Sequence, residues 1–355
     1  MRYSMRQCGR PFQGTKMLVR EIGEFGLIER ISAMLPEKAA GVVRGIGDDV
    51  AVLDAPGHEY LLATSDIQVE GVHFALDAIT PYQLGRRVVA VNVSDIAAMG
   101  GEPRWALVSL AISEATEVGY VEELYRGMRE QAGWAGACIV GGNLSRVNSV
   151  MIVDFTLLGV IAPELLILRS TARAGDAILI TGSPGESRAG LELIRRPDLM
   201  QSSLYREKLI ERHLCPQPRL VEGRLLAHSG QVTSMIDVSD GVIGDLFHIC
   251  KASGRGAEVE AAKLPVSPGV YEAARAAGAD WLEWVLSGGE DYELLFTSSP
   301  KAVGSLRKML LDETGTFCTQ IGTITAGDGD VRVRLDNGRL LYPSRTGWDH
   351  FGVQR

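Results

Sequence analysis

Apolar positions along this chain come in two rhythms: strand-length runs that stop at an aspartate or a glycine, and intervening segments at helical spacing. Phe25, Ile28, Ile31 and Leu35 mark a first helix, which Pro36 ends. Gly45 to Asp54 reads as a glycine turn, two carboxylates and a short strand, and Tyr60 to Ser65 as a strand ending at Asp66. Pro81 after Thr80 suits the first turn of a long helix that Gly100 closes. Strands follow at 105–112, at 137–140 (a buried one running into Gly141-Gly142-Asn143) and at 150–161, with a helix over 118–132. Pro163 and the irregular residues after it read as a linker.

The second half opens with the strand Ala-Ile-Leu-Ile-Thr and the loop Gly182 to Ser187. Helices are expected to Arg195, on both sides of Pro216 and Pro218, over 242–253, near 270–276 and 280–286, and over 300–311. Strands are expected before Asp237, over 256–262, after Ser287-Gly288-Gly289, and two or three times near the end. Strands and helices alternate without regular single-helix crossovers. The expected class is therefore α/β of the α+β type, with mixed or antiparallel sheets covered by helices. A length of 355 residues favours two domains, expected over 17–162 and 163–355, with residues 1–16 a disordered tail or an upstream start. Each half can bury a core, since 46% of residues are apolar, and no run is long enough to span a membrane.

The net charge of −8 argues against nucleic acid as the main partner. Cys8, Cys138, Cys215, Cys250 and Cys318 form no C-x-x-C pair, which fits reduced thiols in a cytoplasmic protein. The acids are the unusual feature. Asp48, Asp49, Asp66, Asp95, Asp237 and Asp240 all stand at the end of an apolar run or beside a glycine turn, nearly free of basic neighbours in sequence. Each alone could cap a helix or shape a turn. Together in a cleft they would repel one another unless cations held them. Oxygen ligands without His or Cys favour Mg²⁺. Several such ions in a glycine-rich cleft point to nucleotide phosphates, yet no G-x-x-x-x-G-K-[ST] loop or protein-kinase motif set is present. Gly182-Ser183-Pro184-Gly185 could offer N–H groups to a phosphate, or could be a plain turn.

In order along the chain stand GIGDDVAVL, a Thr-Ser-Asp followed by VEGVHF, VNVSDIAAMGG, DVSDG with a downstream Asp-Leu, SGGEDYEL and GWDHF. This set resembles the thiamine-monophosphate kinases, within the superfamily of aminoimidazole ribonucleotide synthetase, from about Gly23 to Phe351. The resemblance implies transfer of the ATP γ-phosphoryl group to thiamine monophosphate, two α/β domains, and a homodimer whose N-terminal sheets pair into a barrel. By position it implies Asp49, Thr64, Ser65, Asp66, Asp95, Asp237 and Asp240 as magnesium ligands, and Gly142, Arg169 and Ser239 as ATP contacts. His73, Glu290 and Trp348 are implied as substrate contacts; Trp348 could instead anchor the C-terminus, and Arg169 could be a surface residue. One departure matters: Asn143 stands where the family carries a metal-binding aspartate, so that site loses a formal charge. Other ATP-using enzymes of the superfamily and a non-catalytic nucleotide-binding homologue remain the alternatives.

Overall fold

The computed structural model describes residues 19–34, 40–327 and 329–343. The described residues fall into two compact units, 19–34 in one and 40–327 with 329–343 in the other. In the first, a 3-10 turn (Val19–Glu21) leads into helix α1, Gly23–Ser32. Residues 1–16, Pro36 and the GWDHF segment with Trp348 lie outside the described residues.

The second unit opens with strands β1 (Val42–Arg44), β2 (Ala51–Asp54) and β3 (Tyr60–Val69), then helix α2 (Pro81–Ala98), β4 (Glu102–Ile112), helix α3 (Val118–Trp134), β5 (Cys138–Arg146) and β6 (Ile152–Ile161). Its six strands pair in the order β1-β2-β3-β6-β4-β5, antiparallel except for β4 beside β5. Helix α2 begins as its sequence dictates. Thr80 and Gln83 form a reciprocal capping box, Pro81 occupies the first turn, and Gly100 leaves in the left-handed region at φ +78°. α2 presses against α3 so closely that a Cβ on Gly85 would lie 2.1 Å from the Leu124 carbonyl oxygen. Its core-facing residues pack with Val52, Leu62, Val108 and Phe155 of the sheet.

The chain continues through β7 (Ala177–Thr181), α4 (Glu186–Arg195), α5 (Arg206–Leu214), α6 (Leu220–Ser229), β8 (Val232–Asp237), α7 (Val242–Ser253), β9 (Gly256–Glu260), α8 (Pro268–Ala277), α9 (Trp281–Ser287), β10 (Leu294–Ser298), α10 (Val303–Thr314), β11 (Cys318–Thr325), β12 (Val331–Arg334) and β13 (Leu340–Leu341). The seven strands run β13-β12-β9-β11-β7-β10-β8, with β12 and β9 parallel and the rest antiparallel. Both sheets are therefore mixed, as the irregular alternation of elements suggested.

The two sheets differ in cover. Every residue of β7 and β10 is buried, so the centre of the seven-stranded sheet is closed on both faces. The six-stranded sheet has one face on α2 and one open, where Ile67, Trp105 and Leu107 are exposed.

Two expectations need correction. The strand expected to end at Ser65 runs to Val69, because β3 pairs with β6 over its full length. The strand expected to be buried at 137–140 is an exposed edge that continues through Gly141, Gly142 and Asn143 to Arg146. Ala137 and Ile139 do pack on the core, but Cys138 and Val140 are exposed.

Candidate metal centre

Three elements from distant parts of the sequence each deliver a carboxylate to one point. Asp49 comes from the turn before β2, Asp95 from the last turns of α2, and Asp237 from the end of β8; their oxygens all lie within 4.8 Å of one another. α2 organises this convergence. Its Asp95 Oδ2 accepts from Thr64 Oγ1 at 2.5 Å, its Asn92 Oδ1 accepts from the Asp66 N–H at 3.1 Å, and its Ser94 Oγ donates to Asp237 Oδ2 at 2.6 Å. One helix face thus ties β3 of the first sheet to β8 of the second.

Gathering acids out of water disfavours their charged forms. Burial, then Asp66, Asp237 and Asp49, hold the Asp95 carboxyl well above the usual carboxylate range. Asp237 is pushed up to about 8 by burial and Asp49, against the Ser94 hydrogen bond and the Arg169 charge. Burial raises Asp66 to about 6, tempered by a hydrogen bond with Asp95, and raises Asp48 to about 6 with help from Asp49.

The expectation that these acids lack basic partners is corrected in part. The Arg169 guanidinium forks onto Asp49, with Nε 3.1 Å from Oδ2 and Nη2 bonded to Oδ1, and Arg44 Nε lies 3.6 Å from Asp48 Oδ2. Arg169 sits 120 positions beyond Asp49 in a 3-10 turn (Arg169–Thr171), so no local pattern could pair them. The Arg169 charge bears on Asp49, Asp48 and Asp237, while Asp66 and Asp95 are raised by burial and acidic neighbours, and the donor set is hard oxygen throughout. These residues fit a Mg²⁺-type cation.

A further acid went unassigned in the sequence. Asp245, on the first turn of α7 and 2% exposed, accepts from the Asp240 N–H at 3.1 Å. Burial, then Asp240 and Asp237, hold its carboxyl well above the carboxylate range. The signal was the Asp-Leu after DVSDG. The same DVSDG turn is clamped from outside: the Ser239 carbonyl accepts from Glu290 N–H at 2.7 Å, and a Cβ on Gly289 would lie 2.3 Å from that oxygen. Glu290 itself is ion-paired to Arg87 of α2. His73 lies in the turn after β3, its Nδ1 accepting from the Val69 N–H at 3.0 Å.

Ser65 and Asn143 are not brought to this cluster within the chain. The register Ile67–Asp154–Ser109–Asn143 puts Asn143 on the open sheet face, opposite Asp66 and Thr64. Ser65 shares that open face, where its hydroxyl donates to Asp154 Oδ1 at 2.9 Å. Gly142 pairs with Val108 on β4, and the lack of a Cβ lets it sit against the Val108 carbonyl.

Residues 47–161 match the family described as AIR synthase related protein, N-terminal domain, and residues 173–334 match its C-terminal domain. A thiamine-monophosphate kinase of Aquifex aeolicus is 36% identical over 94% of this chain and 100% of its own length. The chain belongs to the thiamine-monophosphate kinase family. The Escherichia coli K12 member is 35% identical over 93% of this chain and 99% of its own. The solved structure of AaThiL complexed with AMPPCP and TMP superposes with a TM-score of 0.81 at 34% identity, covering 95% of this chain and 100% of that one.

In this thiamine-monophosphate kinase, the Gly182–Ser187 loop is not open to a phosphate. The buried Asp291 carboxylate already accepts from Gly185 N–H at 2.6 Å and Ser187 N–H at 3.0 Å, filling the N-terminus of α4. Among the described residues no helix is long and apolar enough to cross a membrane. Cys215, Cys250 and Cys318 are buried and Cys138 is exposed.

Proposed function

We propose that this thiamine-phosphate kinase transfers the γ-phosphoryl group of ATP directly to the phosphate of thiamine monophosphate, giving thiamine diphosphate and ADP, with Mg²⁺ held by the aspartate cluster. The observation that carries this is the convergence of Asp49, Asp95 and Asp237 within 4.8 Å, short of basic partners. The AMPPCP and TMP named in the matched solved structure support the two substrates.

The acceptor phosphate has a second pKa of about 6, so at neutral pH it is largely a dianionic nucleophile and requires no general base. Bound Mg²⁺ would supply neutralisation of the repulsion between donor and acceptor phosphates. The residues have the remaining work of holding and aiming. Asp49, Asp95 and Asp237, supported by Thr64, Asp66 and Asp240, hold the cations. Arg169, Ser239 and Gly142 would contact ATP, the Arg169 fork being suited to phosphate oxygens. His73, Glu290 and Trp348 receive the thiamine portion. Catalysis is positioning and electrostatics, by in-line attack.

The exposed apolar face around Ile67, Trp105 and Leu107 supports a homodimer in which two such sheets close into a barrel, with Ser65 and Asn143 facing the partner copy. In the same reading residues 17–162 form the metal- and ATP-binding half, residues 163–355 the C-terminal half, and the protein is cytoplasmic. Incubation with ATP, Mg²⁺ and thiamine monophosphate, followed by chromatography, should yield thiamine diphosphate and ADP in equal amounts. ADP without thiamine diphosphate would point to another ATP-using reaction, and no turnover to a non-catalytic homologue.

A further inference from the structure

Arg87 is among the largest side chains that the fold buries completely, at 1% exposure, and it sits on the helix that organises the metal centre. Its guanidinium donates to three acceptors from three elements: Gln68 Oε1 at 3.4 Å on β3, the His213 carbonyl at the end of α5, and Glu290 Oε1. A guanidinium buried this deeply is strongly destabilising unless it is paired, so the Glu290 carboxylate is held to it. Glu290 is not buried in return: its side chain is 30% exposed. Its second oxygen, Oε2, lies 3.5 Å from His213 Nδ1, outside good hydrogen-bond range, and that ring nitrogen is 3.0 Å from Ser187 Oγ.

The backbone here is strained to achieve this. Glu290 and Tyr292 adopt φ +66° and +50°, a region that side-chain-bearing residues avoid, and the Glu290 N–H is tied to the Ser239 carbonyl. A strained loop fixed at its main chain to the DVSDG turn, and at its side chain to α2, aims one carboxylate oxygen outward. The helix sets its distance from the metals. Arg87 and Ser94 are seven residues apart on one face of α2, so the helix anchors of Glu290 and of Asp237 are spaced about 10 Å along its axis. Thiamine monophosphate carries its phosphate at one end and a polar aminopyrimidine beyond a cationic thiazolium at the other. With the phosphate at the aspartates, the ring end lies toward Glu290.

We propose that Arg87 is a positioning residue for the acceptor: it pins Glu290 Oε1 so that Oε2 accepts a hydrogen bond from the exocyclic amino group of the aminopyrimidine of thiamine monophosphate, and α2 sets the distance from that contact to the reacting phosphate. This rests on the kinase reading above and adds to it the device that selects acceptor length.

Steady-state kinetics of Arg87→Lys, Glu290→Gln and their double variant tests it, with Michaelis constants measured separately for ATP and thiamine monophosphate. Glu290→Gln should raise KM for thiamine monophosphate about tenfold or more, as loss of a charge-assisted hydrogen bond does, with KM for ATP nearly unchanged. Arg87→Lys should produce part of the same rise, and the double variant should be no worse than Glu290→Gln, because Arg87 acts through Glu290. Additive effects, or equal shifts in both Michaelis constants, would overturn the inference. Should Arg87→Lys not fold, Glu290→Asp decides, since it keeps a carboxylate for Arg87 but withdraws it by one methylene. A raised KM for thiamine monophosphate is expected, and a wild-type value overturns the proposal. Absence of any kinase activity in the wild type would instead sink the functional reading itself.

Discussion

Two buried acid clusters stand side by side in this molecule and carry opposite meanings. Around Glu293 two carboxylates share a cation: Arg219 forks onto Glu293 with both contacts at 2.6 Å and lies 3.5 Å from Glu222, while Thr181 Oγ1 donates to Glu293 at 2.6 Å and Thr316 Oγ1 to Glu222 at 2.5 Å. Burial alone would raise the Glu293 pKa, yet the Arg219 charge and hydrogen bonds bring it below the ordinary value. Around Asp95 the same burial is not offset, and the pKa values of Asp95, Asp237 and Asp66 are all raised. Burial is common to both; saturation is not. A matched buried carboxylate ties elements together, whereas an unmatched group is a candidate place for cations that the chain does not itself supply.

The sharpest way to separate the two regions is to neutralise one acid in the unmatched cluster. Asp95→Asn should lower phosphoryl transfer at least about a thousandfold, as loss of a transition-state charge clamp does, while the melting temperature without Mg²⁺ holds or rises because repulsion is relieved. Near-wild-type turnover would make Asp95 structural. In the matched cluster the sign reverses. Arg219→Met should cost about 3–5 kcal/mol of stability in urea unfolding, by stranding Glu293, and pairing it with Glu293→Met should recover most of that loss. A single variant as stable as wild type would remove the contrast.

The sequence made part of this comparison legible. α2 was readable from Thr80, Pro81 and Gly100, and α7 from its apolar spacing between Gly241 and Gly254, because caps and periodicity are local. The acids were recognisable as a set because they sit at strand ends and glycine turns. What stayed hidden was non-local. The fork of Arg169 on Asp49 and the grip of Arg87 on Glu290 join residues 120 and 203 positions apart. The face that Ser65 and Asn143 occupy depends on strand register, and a strand ended at Ser65 conceals it. The run before Gly141 looked like core because an edge strand, half packed and half exposed, carries the same apolar residues as an interior.

A smaller effect comes from Asp291, which resembles the Asp95 cluster in being raised but caps α4 instead. Burial lifts it to about 8 against its two N–H donors, above its unfolded value of 3.8. A raised folded pKa means that the folded state holds the proton more tightly. The stabilisation is full below about pH 4 and is lost as pH rises toward 8. His213, lowered to about 4 chiefly by burial, works the other way between pH 4 and 6.5. The comparison is therefore best made between variants: Asp291→Asn should match wild type near pH 4 and exceed it in melting temperature by several degrees at pH 8. Equal pH dependence in the two proteins would show that Asp291 does not carry this proton.

The smallest expected change is at Asn143. Restoring a carboxylate with Asn143→Asp on the open face should lower the half-saturating Mg²⁺ concentration several-fold, by less than about 1.4 kcal/mol, and only where the protein is dimeric. The same shift in a monomeric preparation would place Asn143 at the Asp95 cluster within one chain.

Cation binding itself tests the contrast most directly. Mn²⁺, a hard-oxygen probe for such sites, can be titrated into wild type, Asp95→Asn and the Arg219→Met/Glu293→Met double variant, with free ion followed by electron paramagnetic resonance. Wild type and the double variant should bind Mn²⁺ alike, and Asp95→Asn should lose at least one ion or about tenfold or more in affinity. Unchanged Mn²⁺ binding in Asp95→Asn would contradict the assignment of the Asp49–Asp95–Asp237 cluster as the metal centre.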